Sequence, residues 1–399
     1  MLASRREVEE SWAQPVGVTQ RTICQTIALS SLFSRLTNTT DKTNMKKQAV
    51  AVGFVLFSFM LPTKASAASF DQLFVFGDSL SDTGNIYSVT TAIGQPYPPS
   101  PPYSQGRFSN GPNWVDYLGD QLGLHPTLVT DINFTTIPPT PIPTQGINFA
   151  FGGATSGLDN AVFPNQNLPG VLKQVSGFAG ILQANNQTAD PNALYTLWAG
   201  ANDFLFVDPE NSATPISNIS QALNTLVGIG AKNIVVFNLP DLGQLPGANK
   251  DGRNPTTLSN STSAFNLGLT QTVSGLSQNP NLNITYIDTN SLFSQASTFG
   301  FTNVTESCLD RLDICNPANN NFLFFDDFHP TTAGHQVIAE TVLAAIEAKS
   351  VPEPSINLGI LALGAFGAVG VLKRQQKRSA LVSAGRVVDA QWSQTTVKN

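Results

Sequence analysis

Five short apolar runs separated by helical periodicities constrain this chain more than any other feature. They lie at Leu73–Phe76, Ile147–Ala150, Leu194–Ala199, Asn233–Asn238 and Ile284–Ile287. Each is bounded by Gly, Asn or Pro, so each reads as a strand. Three segments carry apolar residues near helical spacing. Ile216 to Ile229 presents Ile216, Ile219, Leu223, Leu226 and Val227. Ser263 to Leu276 places Phe265, Leu269, Val273 and Leu276 on one face. Thr332 to Ala348 follows Pro330, a good first-turn residue, and runs through Val337, Ile338, Val342, Leu343 and Ile346. Strands alternating with helices predict an α/β domain, a parallel sheet with helices on both faces.

Sorting signals flank that domain. Met45-Lys46-Lys47, the uncharged run Ala49 to Leu61 and Ala65-Ser66-Ala67 read as a secretory signal peptide over residues 45–67. The mature chain would then start near Ala68. The run is too short for a spanning helix. Met1 to Asn44 precede it, either as a start-site extension ahead of a true start at Met45 or as a cytoplasmic extension. An export signal belongs at the amino terminus, which favours the first. At the other end, Val351-Pro352-Glu353-Pro354 leads into Ile356 to Leu372. That run of about 17 residues is at the lower limit for a transmembrane helix. Lys373, Arg374, Lys377 and Arg378 follow and should stay cytoplasmic. This tail, residues 350–378, resembles the PEP-CTERM sorting signal, which implies a bacterial exporter and a sorting protease of the exosortase kind as partner. Such tails stop at the basic cluster, whereas Ser379 to Asn399 continue here. The alternative is a plain membrane anchor. Either reading exports the domain, residues 68–349, to the periplasm, the cell surface or the medium.

Composition agrees with export. Charged residues make up 12% of the 399-residue chain, about half the usual ~25%. The formal net charge is −6 and the domain has no basic block, which argues against nucleic acid as a partner. Cys308 and Cys315 are the only cysteines in the domain. In an oxidising compartment they are candidates for a bridge, the alternative being two free thiols.

The chemistry starts at Phe74-Val75-Phe76-Gly77-Asp78-Ser79, where a strand ends in a turn that carries a hydroxyl. Open α/β sheets bind their ligands at such carboxyl ends. A serine needs a base that titrates near neutrality. The chain has three histidines. His125 enters a loop with no acid at suitable spacing, and His335 reads as a surface or helix-packing residue. His329 has Asp326 three positions earlier, and one helical turn would put the pair on the same side. Asp326 would hold the imidazole in the right tautomer. Asp327 would point into solvent. For the oxyanion, Gly152 and Gly153 follow one strand and Asn202 follows another. The plainer readings are a turn for the glycines and a helix cap for Asn202-Asp203. Pro96 to Pro112 and Ile137 to Gln145 are long Pro-rich loops of the kind that carry function.

The chain resembles the GDSL, or SGNH, family of serine esterases and lipases over about residues 70–348. The blocks stand in order: Gly77-Asp78-Ser79-Leu80-Ser81-Asp82-Thr83-Gly84-Asn85, Asn148-Phe149-Ala150-Phe151-Gly152-Gly153-Ala154, Gly200-Ala201-Asn202-Asp203 and Asp326-Asp327-Phe328-His329-Pro330-Thr331. Gly106-Arg107-Phe108-Ser109-Asn110-Gly111 and Asn238-Leu239-Pro240-Asp241-Leu242-Gly243 are similar to secondary motifs. The resemblance implies a flavodoxin-like three-layer α/β/α sandwich with a mostly parallel five-stranded sheet. It implies Ser79 as nucleophile and oxyanion donor, Gly153 and Asn202 as the other donors, His329 as base and Asp326 as its orienting acid. Gly152 stays open in place of Gly153, and Asp78 caps the turn. The activity implied is hydrolysis of carboxylic esters through an acyl-enzyme, on a lipid, a small ester or an acetylated glycan. Two alternatives stand beside it: O-deacetylation of a polysaccharide, and a catalytically inactive surface-binding protein on the same scaffold. No G-x-S-x-G, H-E-x-x-H, P-loop or strand-linked G-x-G-x-x-G is present, so neither metal nor organic cofactor is expected.

Overall fold

The computed structural model describes residues 69–134, 140–315 and 321–350. The expected signal peptide, the apolar run of the tail and all flanking extensions lie outside them. Among the described residues no helix is long and apolar enough to cross a membrane.

The centre is β1 (Leu73–Gly77), buried at every position. A strand buried on both faces needs a layer on each side. It pairs in parallel with β3 (Ile147–Asn148) on one edge and β4 (Leu194–Trp198) on the other. Leu73 stands opposite Leu194 and Gly77 opposite Trp198. Beyond β3 lies β2 (Thr127–Leu128), and beyond β4 lie β5 (Asn233–Phe237) and β6 (Asn283–Ile287). The order β2-β3-β1-β4-β5-β6 is parallel throughout. Without β2, the remaining five strands run 2-1-3-4-5 in chain order, the flavodoxin-like pattern. The expected sheet of five is therefore six strands. The addition, Thr127–Leu128, is too short to show a period of two.

Period two along the strands separates the two faces. Phe74, Phe76 and Tyr195 share one face, and Phe178 packs on all three with ring centroids 4.7–6.0 Å apart. Phe178 belongs to α3 (Val171–Ala184). Next to α3 lies α4 (Ala213–Gly228), and next to that α5 (Pro255–Leu276). Trp198 and Phe237 point to the other face. There Trp114 of α2 (Trp114–Leu122) lies 6.2 Å and 4.8 Å from them. α2 packs against α7 (Thr332–Ser350). Each large buried ring contributes about 2–3 kcal/mol of apolar transfer, and these rings hold the three layers together. The expected helices at 216–229 and 263–276 are parts of α4 and α5. Helix α2, helix α3, the short α1 (Asn85–Ala92) and α6 (Thr289–Ser294) were not expected from the pattern.

A parallel ribbon of β7 (Asn303–Ser307) and β8 (Phe322–Phe324) stands apart from the main sheet. Just after it begins the His329 loop. Cys308 and Cys315 are bonded, and buried Cys308 packs with Phe322 and Phe325. Pro330 is not in the first turn of α7. It bridges back to Phe324, and Thr331 Oγ1 accepts the Gly334 N–H at the start of the helix.

Candidate active site

Three loops meet at the carboxyl ends of β1, β3 and β4, where the order of the sheet reverses. Side chains buried below them set their courses. Gln174 of α3 accepts the N–H of Gly77 at 2.9 Å and donates to its carbonyl at 2.8 Å, so the end of β1 is held in place. A Cβ on Gly77 would stand 2.5 Å from the Trp198 carbonyl, which excludes a larger residue. Asp82 is fully buried, and its carboxylate accepts four backbone N–H groups, those of Gly84, Asn85, Ile86 and Gly152, at 2.6–3.1 Å. Burial pushes this carboxyl up to about 6 against those four donors. Asn148 donates to the Ser81 carbonyl at 2.9 Å, and Asn85 donates to the carbonyls of Asn148 and Ala150 at 2.9 Å. The turn after β1 is thereby laced to the turn after β3.

Ser79 Oγ lies 2.7 Å from His329 Nε2, across 250 positions of sequence. His329 Nδ1 faces both oxygens of Asp326, at 2.9 Å and 2.8 Å. The expected reason for that last contact was a helical turn, and the structure corrects it. Asp326 and His329 lie in a loop after β8. Asp326 Oδ1 accepts the N–H of Phe328 and of His329, each at 2.8 Å. Such an Asx turn curls the chain so that the imidazole returns to the carboxylate. Burial raises the Asp326 carboxyl, but the charge and hydrogen bond of His329, the Phe328 N–H and the Tyr103 hydroxyl outweigh it. The net effect holds it below the usual carboxylate value. Phe108 packs on the imidazole at 5.1 Å.

Of the paired glycines, Gly152 gives its N–H to Asp82. Gly153 has φ +78°, and among the described residues its N–H has no acceptor. A Cβ there would come within 2.6 Å of Asn160 Oδ1 and 2.8 Å of Val162 Cβ. Asn202 Nδ2 donates to the Ala154 carbonyl at 2.9 Å and lies 3.5 Å from Asp78 Oδ2. Asp203 does not cap a helix at this point. It accepts the N–H and hydroxyl of Ser156 at 2.8 Å and 2.7 Å, which ties the β4 loop to the β3 loop. Asp78 caps its turn by accepting the Leu80 N–H at 3.0 Å. Burial pushes its carboxyl up to about 7.

Ser79, Gly153, Asn202 and His329 all line one cleft of about 400 Å³. Its walls are largely apolar, from Leu80, Tyr97, Val162, Leu205 and Phe206. A hydroxyl touching an imidazole, an imidazole touching a carboxylate and neutral N–H donors beside an apolar cleft can together carry acyl transfer.

Other expectations are corrected. Asp327 is not solvated on its own, because it pairs with Lys250, which also binds Asp310. Of the two readings of His335, the helix-packing one agrees with the structure and the surface one does not: it is a core residue of α7, and burial lowers its pKa to about 3. His125 does have an acid near it, Asp120 at 3.8 Å, but both are exposed on the surface. Among the described residues no group of His, Cys, Asp and Glu is arranged to hold a metal ion. Sequence reasoning passed over Asp82, Asn148, Gln174 and Tyr103. The first two sit inside the quoted blocks, so their position was a signal. Tyr103 sits in the Pro96–Pro112 loop, whose composition was a signal for the segment but not for the residue, and Gln174 carried none.

Residues 73–342 match the family model described as GDSL-like Lipase/Acylhydrolase, and residues 350–375 match the PEP-CTERM protein-sorting motif. A phosphatidylcholine-sterol acyltransferase of Aeromonas hydrophila is 35% identical over 207 residues. That match covers 51% of this chain and 54% of the acyltransferase, about half of each. A GDSL esterase/lipase of Arabidopsis thaliana is 27% identical over 329 residues, covering 68% of this chain and 88% of its own. Among solved structures, an inhibitor-bound aryl esterase of M. smegmatis aligns with a TM-score of 0.36 at 15% identity, over 70% of this chain and 99% of its own.

Proposed function

The chain belongs to the GDSL-like lipase/acylhydrolase family, and from that premise we propose an exported serine hydrolase that cleaves carboxylic esters through an acyl-enzyme on Ser79. The observation that carries this reading is the unbroken contact from Ser79 Oγ through His329 to Asp326. Ser79 Oγ attacks the ester carbonyl carbon while His329 Nε2 takes its proton. The carbonyl oxygen becomes an oxyanion facing the N–H groups of Ser79 and Gly153 and the amide of Asn202. On collapse the C–O bond to the alcohol breaks, and His329 returns the proton to the leaving oxygen. Water, deprotonated by His329, then attacks the acyl carbon, the bond to Ser79 Oγ breaks as Oγ takes the proton back from His329, and the carboxylic acid leaves. Asp326 stabilises the imidazolium in both halves.

The apolar walls support an apolar acyl or alkyl group over an acetylated sugar. The intact set of polar groups supports turnover over binding alone. A second reading replaces water with an alcohol as acyl acceptor. The relative named as an acyltransferase motivates it, and added alcohol would divert product from acid to ester. The sorting motif over 350–375 supports a bacterial surface destination. In this reading the mature domain runs from about Ala68 to Lys349, and a sorting protease acts on the tail.

The test is covalent labelling. A fluorophosphonate should modify Ser79 stoichiometrically and lose that reactivity on heat denaturation. Ser79→Ala should lower kcat on p-nitrophenyl esters on the order of 10⁴-fold or more. Label on another serine, or turnover by the alanine variant, would reject the assignment.

A further inference from the structure

We propose that Tyr103 is a positioning residue for the triad, acting through a hydrogen bond from its hydroxyl to Asp326 Oδ2, an oxygen that also faces His329 Nδ1 at 2.8 Å. The inference rests on the serine hydrolase reading above. The Tyr103 hydroxyl donates to Asp326 Oδ2 at 2.8 Å. A carboxylate has about four lone-pair sites. Here the donors are the N–H groups of Phe328 and His329, the His329 Nδ1–H and Tyr103. Three of the four come from the same short loop as the carboxylate. Tyr103 is the donor that arrives from elsewhere, 223 positions away.

The ring that carries the hydroxyl is held in place. It packs edge-on against Phe325 at 5.2 Å and joins the apolar cluster of Cys308, Phe322 and Phe325. The loop that carries the ring is fastened to the His329 loop. Ser109 Oγ donates to the Pro330 carbonyl at 2.9 Å, and Asn110 Oδ1 accepts the Thr332 N–H at 2.8 Å. One loop therefore places Phe108 on the imidazole and Tyr103 on the carboxylate. Packing alone would be satisfied by phenylalanine, and the hydroxyl has its use at Asp326. Burial and the neighbouring negative charge of Asp326 push the Tyr103 pKa far up, so the hydroxyl stays a donor at every working pH.

The bond has a signed consequence. A donor on Asp326 spreads its charge and loosens its hold on the imidazolium proton. Without the donor the Asp-His pair should keep that proton to higher pH. The other titratable groups around the pair are Tyr97 on the same loop, Asp78 after β1, Asp327 with its Lys250 partner, and buried His335 on α7. Tyr103→Phe leaves all of them in place, so a shift reports this bond.

The experiment compares wild type, Tyr103→Phe and Ser79→Ala on p-nitrophenyl acetate across pH. Tyr103→Phe should lower kcat on the order of tenfold, as the loss of one bond to a charged group does. KM should stay within about twofold, because the ring that lines the cleft is kept and only the hydroxyl bonded to Asp326 is removed. The acid limb of kcat/KM should move up by about half a pH unit. Wild-type kcat and an unmoved limb in folded Tyr103→Phe would overturn the proposal. If that variant does not fold, incorporation of 3-fluorotyrosine, a stronger donor with the ring kept, should move the limb to lower pH. No movement there would also overturn it. Turnover by Ser79→Ala would instead reject the serine mechanism, whatever Tyr103 does.

Discussion

Gly152 donates its backbone N–H to Oδ2 of Asp82 at 2.8 Å, which leaves the N–H of the adjacent Gly153 as the one of the pair without an acceptor among the described residues. Both glycines line the cleft, but the Gly152 N–H is committed to Asp82. Asp82 also holds the turn that follows Ser79, so one carboxylate organises both the proposed nucleophile and its partner loop.

Asp82→Asn tests that role. Asparagine keeps one acceptor oxygen but presents an NH₂ group to two of the four buried N–H donors. Leaving such donors unpaired costs about 1–3 kcal/mol each. Urea unfolding should show a loss on the order of 3 kcal/mol, and the folded fraction should lose most of its esterase activity. A variant as stable and as active as wild type would remove Asp82 from this account.

Asn202→Ala should separate structure from catalysis. The side chain gives one N–H to the Ala154 carbonyl, so some stability is lost with it. The larger effect should be on the transition state. Loss of this proposed oxyanion donor should lower kcat about 10²–10³-fold with KM little changed. Steady-state kinetics on p-nitrophenyl butyrate measures both. A rise in KM alone would place Asn202 in ground-state binding.

Asp78 makes stability depend on pH in a defined direction. Burial takes its carboxyl from 3.8 up to about 7. Between those values the folded state holds a proton that the unfolded state has lost, so stability is full below pH 3.8 and falls as pH rises through 7. Asp82, raised to about 6, acts with the same sign. Asp326, held low, acts oppositely, and its contribution is lost on acidification. Asp78→Asn keeps the acceptor for the Leu80 N–H and removes the titration. It should unfold at higher urea than wild type at pH 8 and lose that advantage near pH 4. Equal pH slopes for the two proteins would contradict the raised carboxyl.

The bond between Cys308 and Cys315 closes a loop with a sequence separation of 7. Loop-closure entropy for that length corresponds to about 2.5 kcal/mol. Leu309 and Asp310, inside the loop, line the cleft. Cys315→Ser should lower stability by about that amount and change KM more than kcat on a long-chain ester. Unchanged melting with and without reductant would show that the loop is held by packing alone.

Five of the strands and the chemical groups of the site were legible in the sequence, whereas β2, β7 and β8 were not. Leu73–Phe76 and Leu194–Trp198 were legible because a strand buried on both faces is a continuous apolar run, and the polar residues just past its end have to serve a ligand or a turn. Helix α3 was not legible, because Gly177 and Gly180 interrupt its periodicity. The two-residue β2 has no period to read. Spacing singled out Asp326 and His329, but an Asx turn, not a helix, joins them. Only the tertiary structure decided that Ser79 touches His329, that Asp82 takes Gly152 and leaves Gly153, and that Tyr103 of a Pro-rich loop reaches Asp326. Local pattern records burial and turn chemistry within a few residues. Contacts across 70 to 250 positions depend on how parallel crossovers and an irregular loop are stacked, and no period in the chain encodes that.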